Sequence, residues 1–146
     1  EWPVIILLAS VIPLGASLES NGTTELIVQI LTKYTLTMEP WLIIAILMII
    51  TMTLSDILNN TATTLVIAPI SIQLAQTLNL NTDTFLMAVA ISASCAFLTP
   101  IGHKNNTIIL GPGGYRFGDY WRMGILLEVL IISTSIPLLL LFWPIN

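Results

Sequence analysis

Apolar residues run through this chain in long blocks, and the polar positions between them are few and clustered. Trp2 to Leu18 carries no charge and is just long enough to cross a bilayer, with Trp2 at the interface and Pro3 in the first helical turn. Pro13 and Gly15 predict a kink or an early end. Asn21-Gly22 marks a turn, after which Thr23 or Thr24 can cap a short helix. On that helix Leu26, Ile27, Ile30 and Leu31 share one face, and Glu25, Gln29 and Lys33 share the other. The pattern is that of an amphipathic helix lying in the membrane interface.

From Pro40 to Leu80 the only charge is Asp56. One straight helix there would run about 60 Å at 1.5 Å per residue, twice a hydrocarbon core of roughly 30 Å. The chain must turn back, and the polar cluster from Ser55 to Thr61 is where it can. Two apolar arms result, Trp41 to Leu54 and Ala62 to Leu78, with Pro69 able to kink the second. The first arm is short for a span, so a re-entrant hairpin with its tip at residues 58–61 fits better than two full crossings.

Asn79 to Asp83 reads as a polar turn, and Thr84 to Leu98 as another short apolar arm. Thr84 to Leu110 would run about 40 Å if wholly helical, but Pro100 and Gly102 interrupt it within the polar stretch Thr99 to Asn106. This predicts a discontinuous transmembrane helix, closed by Gly111-Pro112-Gly113-Gly114. Tyr115 to Arg122 belongs at an interface, and Met123 to Trp143 is a clear final span with Trp121 and Trp143 as belt residues. Arg116 and Arg122 lean that connection toward the cytoplasmic side. The expected organisation is one membrane region over 1–146, divided into 2–34, 40–80, 82–112 and 120–144.

Composition agrees. Of 146 residues 55% are hydrophobic and 8% charged, and mean hydropathy is +0.93. Soluble domains carry roughly 25% charged residues, so a soluble globular domain and a disordered tail are excluded. Lys33, Lys104, Arg116 and Arg122 cannot build a basic patch, which excludes a nucleic-acid partner. The net charge of −4 is thinly spread. The class is an all-α, multi-pass protein of the lipid bilayer, expected in the cell (inner) membrane. Cys95 is the only cysteine, so no intrachain disulfide forms, and its apolar surroundings predict a buried side chain. Glu1-Trp2-Pro3 has no basic signal-peptide region and no initiator Met, so the chain reads as a fragment of a longer protein.

Irregular backbone at membrane depth is tolerated only where protein covers it or it lines a cavity. Two such places are predicted, Leu58 to Thr61 and Thr99 to Asn106. A helix starts after each, and helix N-termini suit anions. A helix ends before each, and free carbonyls suit Na⁺. Both clusters also read as ordinary surface loops between full spans, and both contain a glycosylation sequon. An enzyme would need facing carboxylates, a Ser–His pair or grouped metal ligands. Asp56 and Asp83 share no motif, and His103 has no nucleophile or second ligand nearby. Two function classes remain: a secondary transporter, and a non-catalytic helical subunit of a larger membrane complex. Interrupted helices favour the first, because a scaffold does not need them.

Asn59-Asn60-Thr61-Ala62-Thr63-Thr64, followed by an arm with Pro69, resembles the hairpin tip of the divalent anion:sodium symporter family. Ser94 to Gly102, with Asn106 and Gly111-Pro112-Gly113-Gly114-Tyr115-Arg116-Phe117, resembles that family's second signature. The likeness covers nearly the whole chain. It implies the second half of an inverted-repeat transporter, a missing N-terminal half, dimers, and an elevator-like motion. It implies that Asn59, Asn60 and Thr61 face a small anionic substrate, a dicarboxylate or sulfate, with His103, Lys104 and Asn106 alongside. It implies that Ser55, Asn60 and Gly102 surround one Na⁺ as coupling ion.

Three positions depart from the family pattern. Asn59 replaces a Ser, which keeps an acceptor, adds donors and shrinks the pocket. Lys104 stands where a neutral residue is usual; it can bind the anion, replace a cation, or snorkel to an interface. His103 can be a substrate contact, a proton carrier or a polar cap. Asp56 can cap or pair locally or touch the cation site, and Glu128 in the final span should face protein or water rather than lipid, as a packing or salt-bridge residue before a proton relay.

Overall fold

The computed structural model describes residues 20–35 and 38–145, and of the earlier ones residues 2, 5, 6, 9, 10, 13 and 17. The expected first span, Trp2 to Leu18, therefore lies mostly outside the described residues. Among the described residues the chain is all-helical: α1 (Thr23–Thr35), α2 (Pro40–Ile57), α3 (Asn60–Thr77), α4 (Thr82–Ala93), α5 (Lys104–Leu110) and α6 (Phe117–Phe142). Of these, α2 and α6 are long and apolar enough to cross a membrane.

The hairpin arms are longer than the apolar pattern suggests. Both α2 and α3 have 18 residues, about 27 Å each. Pro40 opens α2, where a missing N–H costs nothing. At the other end Ser55, Asp56 and Ile57 continue the helix past Leu54. Their polarity does not end it, because Ser55 and Asp56 find partners on another element. The turn shrinks to Leu58 and Asn59, and Asn60 already belongs to α3. Asn59 Oδ1 accepts the Ala62 N–H at 2.8 Å and so caps that helix.

The turn after α3 is a Schellman closure. Asn79 takes φ 54°, the Leu80 N–H reaches Ala75 O at 2.9 Å and the Asn79 N–H reaches Gln76 O at 3.1 Å. Asn81 then ties this turn to the far end of the chain. Its side-chain amide donates to Pro144 O at 2.9 Å, and its backbone N–H donates to Ile145 O at 2.8 Å.

The core lies where α4 packs against both arms. Ile44, Met48 and Met52 of α2, Leu74 and Ala75 of α3, and Phe85, Ala88 and Val89 of α4 are all buried. α6 closes one side through Leu139, while Met123, Leu126 and Leu141 point outward, as a lipid-facing or covered span requires. α1 lies on α3 through Thr24 and Val28. Its Leu26 and Ile30 face outward, and Glu25, Gln29 and Lys33 line a groove with Gln73 and Thr77 of α3. The polar face is turned toward the neighbouring helix end, but the expected apolar face splits: Leu31 packs against the core while Leu26, Ile27 and Ile30 are exposed.

The interrupted helix breaks earlier than its composition suggests. α4 stops at Ala93 rather than Leu98, and residues 94–103 run without helix until α5 begins at Lys104. At the next junction α6 begins at Phe117, well before Met123. Asp119 stabilises that start by accepting the Arg116 N–H at 2.8 Å on its Oδ2.

α6 crosses the non-helical segment at Gly124. A Cβ there would sit 2.7 Å from Phe97 O and 3.0 Å from Leu98 Cδ2. Gly124→Ala is therefore expected to destabilise the protein by about 1–3 kcal/mol, the usual overpacking cost. Gly111→Ala, where a Cβ meets nothing within 4 Å, should be near neutral. Thermal unfolding of both variants in detergent checks this; equal melting temperatures would contradict the close approach.

Candidate functional site

A buried backbone that is not helical must find partners for its N–H and C=O groups elsewhere. In residues 94–103 those partners come from side chains of α2 and α5. Asp56 Oδ1 accepts the Leu98 N–H at 2.9 Å and the Thr99 N–H at 3.3 Å. The Thr99 hydroxyl donates to Asp56 O at 2.7 Å and accepts the Gly102 N–H at 3.1 Å. From the far side, Asn106 Nδ2 donates to Ala96 O at 2.9 Å and to Thr99 O at 3.1 Å. The Thr107 hydroxyl donates to Pro100 O at 2.6 Å.

The same segment touches the hairpin tip. The Ser55 hydroxyl donates to Ala93 O, the last carbonyl of α4, at 2.6 Å, and lies 3.1 Å from Asn60 Oδ1. A Cβ on Gly102 would be 3.0 Å from Asp56 Cα, 3.2 Å from Ser55 O and 2.9 Å from Ala96 Cβ. Only glycine permits that approach. Ser55 thus touches both Asn60 and Gly102, and the oxygens it brings near each other are neutral: its hydroxyl, the Asn60 amide carbonyl and main-chain carbonyls.

The proposed substrate residues are arranged differently. Asn59 is exposed and caps α3 through Oδ1, and Thr61 is half-buried in the first turn. The first intrahelical bond of α3 is Thr63 N–H to Asn59 O at 2.9 Å. The backbone N–H groups of Asn60 and Thr61 precede it, as the first donors of any helix do. His103 is half-buried and caps α5, its Nδ1 accepting the Asn105 N–H at 3.2 Å. Lys104 is exposed at the first position of α5. Among the described residues no hydrogen bond joins either of them to the hairpin tip. Asn106 commits its amide N–H groups to the break, so its carbonyl oxygen is what remains for other contacts.

Three contributors escape the pattern of the sequence. Asp56 caps the break from α2, not its own helix end. Thr99 bridges Asp56 and Gly102. Tyr120 on α6 donates to Asn106 O at 2.8 Å. The signal for Asp56 was its solitude, a lone charge in a long apolar stretch; nothing local marks Tyr120. Thr63, one turn into α3, is fully buried with its hydroxyl unpartnered among the described residues.

Among the described residues, two helices long and apolar enough to cross a membrane and a hairpin tip held against a non-helical break are features that fit an integral membrane protein. Residues 1–145 match the citrate transporter family, and the chain belongs to that family. The likeness carried by the tip and break motifs is thereby borne out. An uncharacterized transporter of Synechocystis is 40% identical, covering 97% of this chain and 23% of the relative. Sodium-dependent low-affinity dicarboxylate transporter 1 of Caenorhabditis elegans is 30% identical, over 97% of this chain and 24% of its own length. A sodium-dependent dicarboxylate transporter of Staphylococcus saprophyticus is 26% identical, over 92% of this chain and 26% of its own length. The chain spans about a quarter of the length of these relatives.

Asn106→Asp replaces two donors by an acceptor facing two carbonyls. Each lost partner costs about 1–3 kcal/mol, which should loosen the break and expose Cys95, now buried beside it. Labelling of Cys95 by a thiol reagent should be at least about ten-fold faster in the variant, since 1.4 kcal/mol is a factor of ten. An unchanged labelling rate would mean that Asn106 does not hold the break.

Proposed function

We propose that this chain is the C-terminal inverted repeat of a secondary transporter that carries a small dicarboxylate into the cell, coupled to Na⁺. The observation that carries this reading is the meeting of two unlike helix ends at one junction. On one side α3 begins, with the Asn60 and Thr61 N–H groups ahead of its first intrahelical bond. On the other side Ser55, Asn60 and Gly102 gather neutral oxygens. An anion is stabilised by the first set and a hard monovalent cation by the second. A substrate carboxylate at Asn59, Asn60 and Thr61 then lies next to Na⁺ at Ser55, Asn60 and Gly102. Binding of each favours the other, while the Asp56 carboxylate beside Ser55 is spent on the break.

In this reading the hairpin is re-entrant and its tip lies at membrane depth, covered by the missing N-terminal half. His103 and Lys104 approach the substrate from α5, and Asn106 acts through the break. Outward apolar residues of α6 meet lipid or the second subunit of a dimer in the inner membrane. The names of the relatives, sodium-dependent dicarboxylate transporters in a nematode and a bacterium, favour a dicarboxylate over sulfate.

Asn60 is shared by the two ions, so Asn60→Ala in the full-length transporter should abolish Na⁺-driven uptake of labelled succinate in proteoliposomes. Labelled sulfate in the same vesicles separates the two anion classes; uptake of sulfate but not succinate would reverse the substrate assignment. Near-normal succinate uptake by Asn60→Ala would overturn the site. Lys104→Gln should weaken succinate affinity and leave Na⁺ dependence unchanged; a gain of Na⁺ dependence would make Lys104 a cation substitute, and two unchanged curves would remove it from the site.

A further inference from the structure

A groove of about 420 Å³ lies along the first half of α6, away from the hairpin tip. Tyr115, Asp119 and Tyr120 stand at its polar end, and Ile109 of α5 with Leu126 and Leu130 of α6 wall the apolar remainder. Asp119, Met123, Leu126 and Leu130 recur at helical spacing, so they form one stripe on α6. From Asp119 to Leu130 the stripe runs about 17 Å at 1.5 Å per residue. One leaflet of a hydrocarbon core roughly 30 Å thick is about 15 Å deep. The groove therefore has the length of half a bilayer, with its polar end at the aromatic belt around Trp121.

The polar end is also where cations gather. Arg116 follows Tyr115, and Arg122 stands one turn before Leu126 at the flank of the stripe. Both side chains are exposed, and the Arg122 guanidinium lies 5.9 Å from the centre of the Trp121 ring. The acid beside them is Asp119, whose Oδ2 accepts the Arg116 N–H at 2.8 Å. Two arginines against one carboxylate leave one net positive charge at the mouth of an apolar slot. A helix about 10–12 Å across, laid along the stripe, needs roughly three times the volume of the groove. An extended hydrocarbon chain is slender enough, and a phosphate at its head complements the arginines.

We propose that this groove holds one acyl chain of an anionic phospholipid, with the lipid phosphate at Arg116 and Arg122. The proposal requires that α6, which is long and apolar enough, crosses the bilayer; it does not depend on which anion or cation is carried. The site reaches the broken helix. Phe97 and Asn106 also line the groove, Tyr120 donates to Asn106 O at 2.8 Å, and Asn106 Nδ2 holds Ala96 O and Thr99 O. A chain packed on Tyr120 braces α5 and α6 against residues 94–103.

Electron cryo-microscopy of the full-length transporter in nanodiscs of phosphatidylglycerol and phosphatidylcholine tests this. One rod of acyl density should lie between Ile109 and Leu126 and end in a phosphate beside Arg116 or Arg122. Side chains of the N-terminal half or of a second subunit in its place, or an empty groove, would overturn the proposal. Lipid titration of the full-length protein in detergent, followed by native mass spectrometry, reads the charge separately. The wild-type protein should prefer phosphatidylglycerol to phosphatidylcholine by about five-fold, the effect of one net basic charge at a lipid headgroup. The double variant Arg116→Gln, Arg122→Gln changes only exposed side chains and should lose that preference. Equal binding of the two lipids by the wild-type protein, or an undiminished preference in the double variant, would contradict the site.

Discussion

One carboxylate oxygen organises this part of the molecule. Residues 94–103 run without helix, buried or half-buried apart from Ser94 and Ile101, where unpaired backbone groups are costly, and Asp56 Oδ1 accepts two of their N–H groups at once. A hydrogen bond to a charged acceptor contributes about 1.5–3 kcal/mol, and more is lost when a buried donor is left unmade. The position of Asp56 at the end of α2 therefore fixes where the broken helix can pass. Thr99 fixes the orientation by returning a hydrogen bond to Asp56 O, and Gly102 fixes the distance by lacking a Cβ. The hairpin tip and the break are thus parts of one joint, not two loops that happen to be neighbours.

The joint explains why function is expected there. Helix ends carry the only unpaired backbone dipoles in an all-helical membrane protein. Here the ends of α2 and α4 and the start of α3 converge, and side chains that satisfy the break also hold those ends in register. Neutral oxygens and N–H groups can then face ions, while the buried Asp56 carboxylate is spent on the backbone of the break.

Much of this was legible in the sequence. The blocks of apolar residues gave the helices, and the lone polar clusters gave the turn at Leu58-Asn59 and the break before Lys104. The motif around Asn59-Asn60-Thr61 and Thr99-Pro100-Ile101-Gly102 led to the family. Helix ends were less legible. α2 runs on through Ser55 and Asp56, and α4 stops at Ala93, because long-range hydrogen bonds between those two places decide both ends. Apolar pattern is local and cannot see a bond from residue 56 to residue 98. His103, Lys104 and Asn106 sit close in sequence but divide in space between a helix cap, an exposed position and a tie to the break.

The dependence of the joint on Asp56 is most directly tested by amide hydrogen exchange at Leu98 and Thr99 in the full-length protein. These amides lie outside any helix, yet the account predicts protection comparable to that of the α4 core, lost at both positions in Asp56→Ala. Fast exchange of Leu98 and Thr99 in the wild-type protein, or protection that survives the substitution, would contradict it.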